Sequence, residues 1–269
     1  MPILGIIASS RLGVVIPAPS LWLDASDAGT FTYSSGTIVS QWTDKSSNAY
    51  QFTNSTTGNQ PNRNGSQNGL ATVSWDGTND TLYESNKSKS LFKYFHDGTG
   101  ATLFVVAKHN STALNERYTI GTMTDGFGQT GFVGGSYYYG SLAYYPSTGA
   151  STATTGADSA KSVDISTTFA NNAWEIRTNK FDQNNATTSL KMQSYLNLGA
   201  ATGSTTGANW TTASTANAYG WLAIGAVNDG TNIRYWFLGE IAEILAYNSV
   251  FSDAQKDKVV NDLKTKWGI

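Results

Sequence analysis

Glycan hydrolysis needs two carboxylates aimed into one groove, and the segment FLGEIAEILAYN supplies the pair to test first, Glu240 and Glu243. A strand delivers such a pair at even spacing, because side chains of period two share a face. Three positions apart, the two carboxylates point to opposite faces of an unbroken strand and do not form an acid and nucleophile pair. His96 in KYFHDG and His109 in VAKHNS are the only histidines. Each stands at a strand end or turn with no acid spaced for a metal or a serine partner, so places in surface loops are expected. The chain has no Gly-x-Ser-x-Gly, phosphate loop or His-Glu-x-x-His. Cys 0 removes thiolate chemistry and disulfides. The expectation is a protein that is not an enzyme, with no catalytic residue and no metal-ligand set to name.

Residues suited to binding are easier to find. GFGQTGFVGGSYYYGSLAYYPSTG, from Gly126, sets Tyr137, Tyr138, Tyr139, Tyr144 and Tyr145 among glycines, so rings stand beside a backbone with little to cover it. Sugars lay their C–H faces on such rings while phenols and amides take their hydroxyls. In a strand Tyr137 and Tyr139 share one face and Tyr138 takes the other, so one set serves packing and the other is free for a ligand. Trp210, in the polar run TGANWTTAST, is a further candidate that either plugs onto the domain or is exposed for contact. DGTND at 76–80 and VNDGT at 227–231 carry oxygens that calcium accepts, yet both are ordinary turn formers. No other cofactor is expected, and calcium is left open.

Composition sets the frame that positions these residues. Charged residues make up only 13% and Gly numbers 27, so Ser, Thr, Asn and Gly carry solubility, a composition of strands and turns. A net charge of −2 gives no basic footprint, so a nucleic-acid partner is not expected. No stretch approaches the roughly 20 apolar residues that span a bilayer, so membrane insertion is not expected either. TLFVVAKHN at 102–110 and WEIRTNKF from Trp174 read as strands, as do SLKMQSYLN, GWLAIGAVNDG, RYWFLG and EIAEILAYN. The small polar runs at 147–160 and 199–218 read as surface loops. One helix closes the chain: Ser252 and Gln255 form a capping box, and Val259, Val260, Leu263 and Trp267 share a face for the sheet. The spacing predicts an all-β antiparallel sandwich with this short C-terminal α-helix.

LWLDASD at 21–27, VSQWTDKSSNAYQFT at 39–53, VSWDGTNDTL at 73–82 and FLGEIAEILAYNSVFSDAQKDKVVNDLKTKWGI at 237–269 together resemble the concanavalin A-like lectin/glucanase superfamily in its laminin-G-like subset. The resemblance implies a jelly roll over residues 20–269, with Trp22, Trp42, Trp75 and Trp267 in its framework. Residues 1–19 are expected to be a separate apolar arm. Its opening, MPILGIIASS, is uncharged and resembles the start of bacteriophage virion proteins. That resemblance implies an assembly anchor built on Ile3, Leu4, Ile6 and Ile7, docking to other virion proteins or to symmetry mates in a homo-oligomer.

The expected function is therefore a non-enzymatic virion structural protein on the phage particle surface, as capsid decoration, fibre or tail component. It would display a lectin-like domain for attachment to cell-surface glycans. The alternatives are a bacterial carbohydrate-binding module, or a domain associated with a glycan hydrolase, and a purely self-assembling protein with an inert sandwich.

Overall fold

The computed structural model describes residues 13–110, 117–122, 131–137, 149–156, 163–169, 172–203, 213, 215–228 and 230–269, with backbone alone for 131–169. In chain order the first strands are β1 (Leu21–Asp24), β2 (Phe31–Ser35), β3 (Ile38–Thr43), β4 (Gln51–Thr53), β5 (Asn62–Gln67), β6 (Leu70–Asp76) and β7 (Leu82–Glu84). Next come β8 (Ala101–His109), β9 (Arg117–Gly121), β10 (Gly131–Tyr137), β11 (Gly149–Gly156), β12 (Val163–Phe169) and β13 (Trp174–Phe181). The rest are β14 (Met192–Leu196), β15 (Thr202–Gly203), β16 (Ala223–Ile224), β17 (Val227–Asn228), β18 (Ile233–Arg234) and β19 (Leu238–Tyr247), followed by helix α1 (Asp253–Trp267).

All the pairings among the described residues are antiparallel, and apart from the separate β17–β18 pair they define two layers. In the first, β19 pairs with β6 through its first half, with β1 through its second half and with β8 along its other edge. β13, β14 and β15 then extend that layer, and β5 flanks β6. The second layer runs β2, β3, β4, β7, β16, β9, β10, β11, β12. A single pairing of Ile38 with Asn62 joins the two at one edge. This is the two-layer antiparallel sandwich that alternating apolar strands dictate, since each sheet must bury one face.

Leu21, Leu23, Val73, Trp75, Leu103, Val105, Ile241 and Ile244 from the first layer meet Val39, Trp42, Phe52, Leu82, Ile120 and Ile224 from the second in one buried core. The opposite face of the first layer is covered by α1. Val259, Val260, Leu263 and Trp267 pack there on Phe104, Val106, Ile176, Leu245 and Tyr247. The helix begins where the sequence predicts: Ser252 Oγ accepts from Gln255 N, and Gln255 Oε1 accepts from Ser252 N at 3.0 Å. It ends at Gly268, whose φ of 66° is the left-handed conformation that closes helices.

Three segment expectations need correction. The run at 147–160 was expected to be loop, but β11 lies within it, because threonine suits the pleated backbone even where apolar residues are few. RYWFLG was expected to be strand, but Tyr235, at φ 60°, separates β18 from β19. GWLAIGAVNDG is divided between β16 and β17 by Gly225, at φ 77°, where an added Cβ would sit 2.1 Å from the Trp75 ring.

Candidate functional site

Of the binding residues expected from sequence, Tyr137 ends β10, where the backbone alone is described. Tyr138, Tyr139, Tyr144, Tyr145 and Trp210 lie outside the described residues, as do Ile3, Leu4, Ile6 and Ile7 of the arm. The framework tryptophans are placed as expected. Trp42 and Trp267 are wholly buried and Trp75 nearly so. Trp22 is half-buried and donates from Nε1 to Glu243 Oε1 at 2.7 Å.

Both acidic residues of β19 serve the frame, on the same face. The register of β19 against β8 slips between Ile241 and Glu243, leaving Ala242 as an extra residue in a β-bulge. Ile241 and Ile244 consequently both enter the inner core, while Glu240 and Glu243 both turn to the outer face. The expectation of opposite faces assumed an unbroken strand, and the bulge removes that condition. Glu243 Oε2 accepts from Trp267 Nε1 and from Lys266 Nζ, each at 2.7 Å, which pins the helix end to the sheet. Glu240 pairs with Lys108 and accepts from Thr72 Oγ1 at 2.6 Å.

The histidines are not in surface loops. His96 is 0% exposed and His109 3%. His109 closes β8 with its ring edge-on to Phe237, and burial, helped by the neighbouring Arg177, lowers its pKa to about 3, so the ring is neutral. Its Nε2 lies 3.7 Å from Glu175 Oε1, an acid the sequence spacing did not reveal. Glu175, Arg177 and Asn179 alternate along β13 on the inner face, opposite Ala107, Val105 and Leu103. Arg177 Nη2 donates to Glu175 Oε1 at 3.0 Å. At 2–4% exposure this polar row is interior rather than a groove open to solvent.

The two oxygen-rich turns spend side chains on their own backbone. Asp76 Oδ1 accepts from Thr78 N at 2.8 Å and Asn79 N at 3.2 Å, and Asp80 Oδ2 accepts from Asp76 N at 2.9 Å. Asn228 Oδ1 accepts from Gly230 N at 2.9 Å. Burial, with the charge of Asp76 adding to it, raises the Asp80 pKa to about 6. Among the described residues no group of three or more His, Cys, Asp and Glu is gathered as a metal would require.

The surface best suited to recognition is one the sequence did not single out. It lies on the outside of the second layer, where Tyr83 of β7 turns away from the core that Leu82 enters. Its ring stands 5.5 Å from the Trp221 ring at 47°. Both residues are half-buried. Trp221 N donates to Asn228 O at 2.7 Å, and Gly230 lies against the Trp221 ring, where a Cβ would approach to 2.7 Å. Lys87 Nζ lies 5.0 Å from the Trp221 centroid, and Lys89 Nζ lies 5.6 Å from that of Tyr219, which is 46% exposed.

Hydrogen bonds lay the two contributing segments side by side. Ala218 N donates to Lys89 O at 2.8 Å, Glu84 N to Leu222 O at 2.9 Å, and Lys93 Nζ to Thr215 O at 2.9 Å. Beneath them the fully buried Glu84 carboxylate is committed to the loop. Its oxygens accept from Asn86 N at 3.1 Å, Asn86 Nδ2 at 2.9 Å and Ser88 N at 3.3 Å. Aromatic and lysine side chains thus stand together on this surface, chemically suited to stacking.

No family model matches the chain, and no curated protein matches it in sequence. Solved structures do resemble it. A mutant of Trypanosoma rangeli sialidase displaying trans-sialidase activity matches with TM-score 0.56 and 11% identity, covering 95% of this chain and 34% of that one. The receptor binding domain of botulinum neurotoxin C/D mosaic serotype matches with TM-score 0.56 and 11% identity over 91% of this chain and 51% of that one. The binding domain of botulinum neurotoxin serotype G gives TM-score 0.53 at 12% identity. This chain thus spans about half the length of the toxin domains and a third of the sialidase chain. At such identity the likeness is one of fold: a jelly-roll β-sandwich.

Proposed function

We propose that this protein is a non-enzymatic structural protein of a bacteriophage virion, seated on the particle by residues 1–19 and displaying residues 20–269 for attachment to cell-surface glycans. The observation that carries the reading is the pairing of Tyr83 with Trp221 on the outer surface, flanked by exposed Tyr219. Aromatic rings held rigidly by a sheet and left partly open are suited to the C–H face of a pyranose, and they lose little conformational freedom on binding. Each such contact is weak. Many copies on one particle turn weak contacts into firm attachment through effective concentration.

The approach of the arm to the domain supports the same reading. Val15 is 77% exposed and Val14 40%, an unusual pair of apolar side chains to leave in water. Gln255 Nε2 donates to Val15 O at 3.0 Å, tethering this stretch beside the start of α1. These exposed side chains fit a stretch that continues into an assembly anchor.

A glycan array read with the full-length chain and with Trp221→Ala tests the proposal. The expected result is binding to a subset of glycans, reduced at least about tenfold by Trp221→Ala, given that stacked aromatic contacts at binding hot spots contribute roughly 2 kcal/mol. An array with no hits, or hits indifferent to Trp221→Ala in a protein of unchanged circular dichroism, overturns it.

A further inference from the structure

We infer that the strip formed by Tyr83, Lys87, Lys89, Tyr219 and Trp221 selects acidic saccharides, those bearing a carboxylate or sulfate on the ring, over neutral ones. The inference rests on the glycan-binding reading and adds the class of ligand.

The first argument is how Lys87 is presented. Its φ of 54° is left-handed, a conformation that non-glycine residues seldom adopt without a local reason. That reason is Glu84: Lys87 N donates to Glu84 O at 2.9 Å, while the Glu84 carboxylate holds the amides of Asn86 and Ser88. A wholly buried carboxylate is thus spent on shaping a loop whose outermost product is one exposed ammonium above two rings. Because its oxygens are engaged by the loop, Glu84 is not aimed at that ammonium.

The second argument is what a ligand must displace. Lys87 Nζ lies 5.0 Å from the Trp221 centroid and 5.9 Å from that of Tyr83, so a cation already attends the rings. A neutral pyranose that stacks there moves the ammonium off the ring and offers it only neutral hydroxyl oxygens in exchange. An acidic pyranose places its anionic group against the displaced ammonium while its C–H face takes the ring. Lys89 beside Tyr219 repeats the arrangement one step along the strip. In a chain of net charge −2, the two lysines beside these rings outnumber the one Glu84 carboxylate beneath them, which leaves the strip locally cationic.

The test uses an array of neutral oligosaccharides beside their sialylated, uronate and sulfated counterparts, read with the full-length chain, Lys87→Asn and Trp221→Ala. Asparagine accepts the left-handed backbone, so Lys87→Asn removes the charge while keeping the loop, and an unchanged melting temperature confirms this. The acidic members are expected to bind at least about tenfold more tightly than their neutral parents, with the advantage shrinking as salt rises from about 0.05 to about 0.5 M. Lys87→Asn is expected to bring the pairs within about threefold of each other, while Trp221→Ala weakens both members. The relative strength of sialylated, uronate and sulfated members identifies which anionic group serves. Equal binding of neutral and acidic members, or a preference untouched by Lys87→Asn and by salt, overturns this inference and leaves the glycan reading standing. Binding to neither overturns the glycan reading itself and this inference with it.

Discussion

Glu240 and Glu243 lie on one face of β19 although three positions separate them, because Ala242 bulges between them. Sharing a face does not make them a catalytic pair, since each is held by its own cation: Lys108 for Glu240 and Lys266 for Glu243. Glu243 also receives the indole N–H groups of Trp22 and Trp267, so it joins β1, β19 and the end of α1 at one point. Lys266 continues the network to Asp24 at 2.8 Å, and Lys45 reaches Asp24 at 2.9 Å from the other side.

The two carboxylates should therefore respond differently to neutralisation. Glu243→Gln leaves two indole donors, that of Trp267 fully buried, and an ammonium facing a group with a single acceptor oxygen, and is expected to cost about 2–4 kcal/mol. Glu240→Gln, at a more open site, is expected to cost about 1 kcal/mol or less. Urea unfolding followed by tryptophan fluorescence measures both. A Glu243→Gln protein as stable as the parent would mean that the network does not secure the helix.

Asp80 gives a pH-dependent signature. Its folded pKa of about 6 stands above the ordinary aspartate value of 3.8, so between those pH values the folded state holds a proton that the unfolded chain has released. That contribution to stability is complete below about pH 4 and is lost as pH rises through about 6. Asp80→Asn removes the titration and retains an acceptor for the Asp76 amide. The melting temperature of Asp80→Asn relative to the parent is expected to rise from pH 4 to pH 7 in calorimetric scans. A constant difference across that range would contradict the raised pKa.

Arm and domain separate in a truncation. A chain beginning at Pro17 lacks the uncharged opening segment while retaining β1 onward, and it is expected to be a folded monomer. The full-length chain is expected to self-associate in light scattering or to sediment with phage particles. Identical monomers that ignore the particle would sink the virion reading and leave a free carbohydrate-binding module in its place.

Local signals carried much of the fold. The Ser252 and Gln255 box, the apolar stripe of α1 and the density of TLFVVAKHN are each decided within a few residues, and each is found where local chemistry puts it. The Trp-x-Asp segments were equally legible, though Asp44 works at two ranges: its Oδ1 accepts from Ser46 N two residues on at 2.8 Å and from Trp22 N in β1 at 2.7 Å.

What escaped the sequence depends on register between distant segments. Ala242 carries no mark of a bulge, since its extra position exists only relative to β8. His109 stands at a strand end, as its sequence suggests, yet its own parity along β8 turns it inward beside Glu175. The polar alternation of Glu175, Arg177 and Asn179 was visible in WEIRTNKF, but which face it took was not. The lysine and aromatic strip joins residues 83–89 to 219–221, and no window of sequence contains both. Its only local trace is NKSK directly after β7.

The most direct test of the central claim is a crystal structure of the full-length protein with the tightest glycan from the array. Density for a pyranose against the Trp221 and Tyr83 rings, with Lys87 turned toward it, is the expected result. A glycan seated instead on the Tyr137–Tyr145 segment, or inside the sandwich beside Glu175 and His109, would contradict the assignment of this strip as the recognition surface.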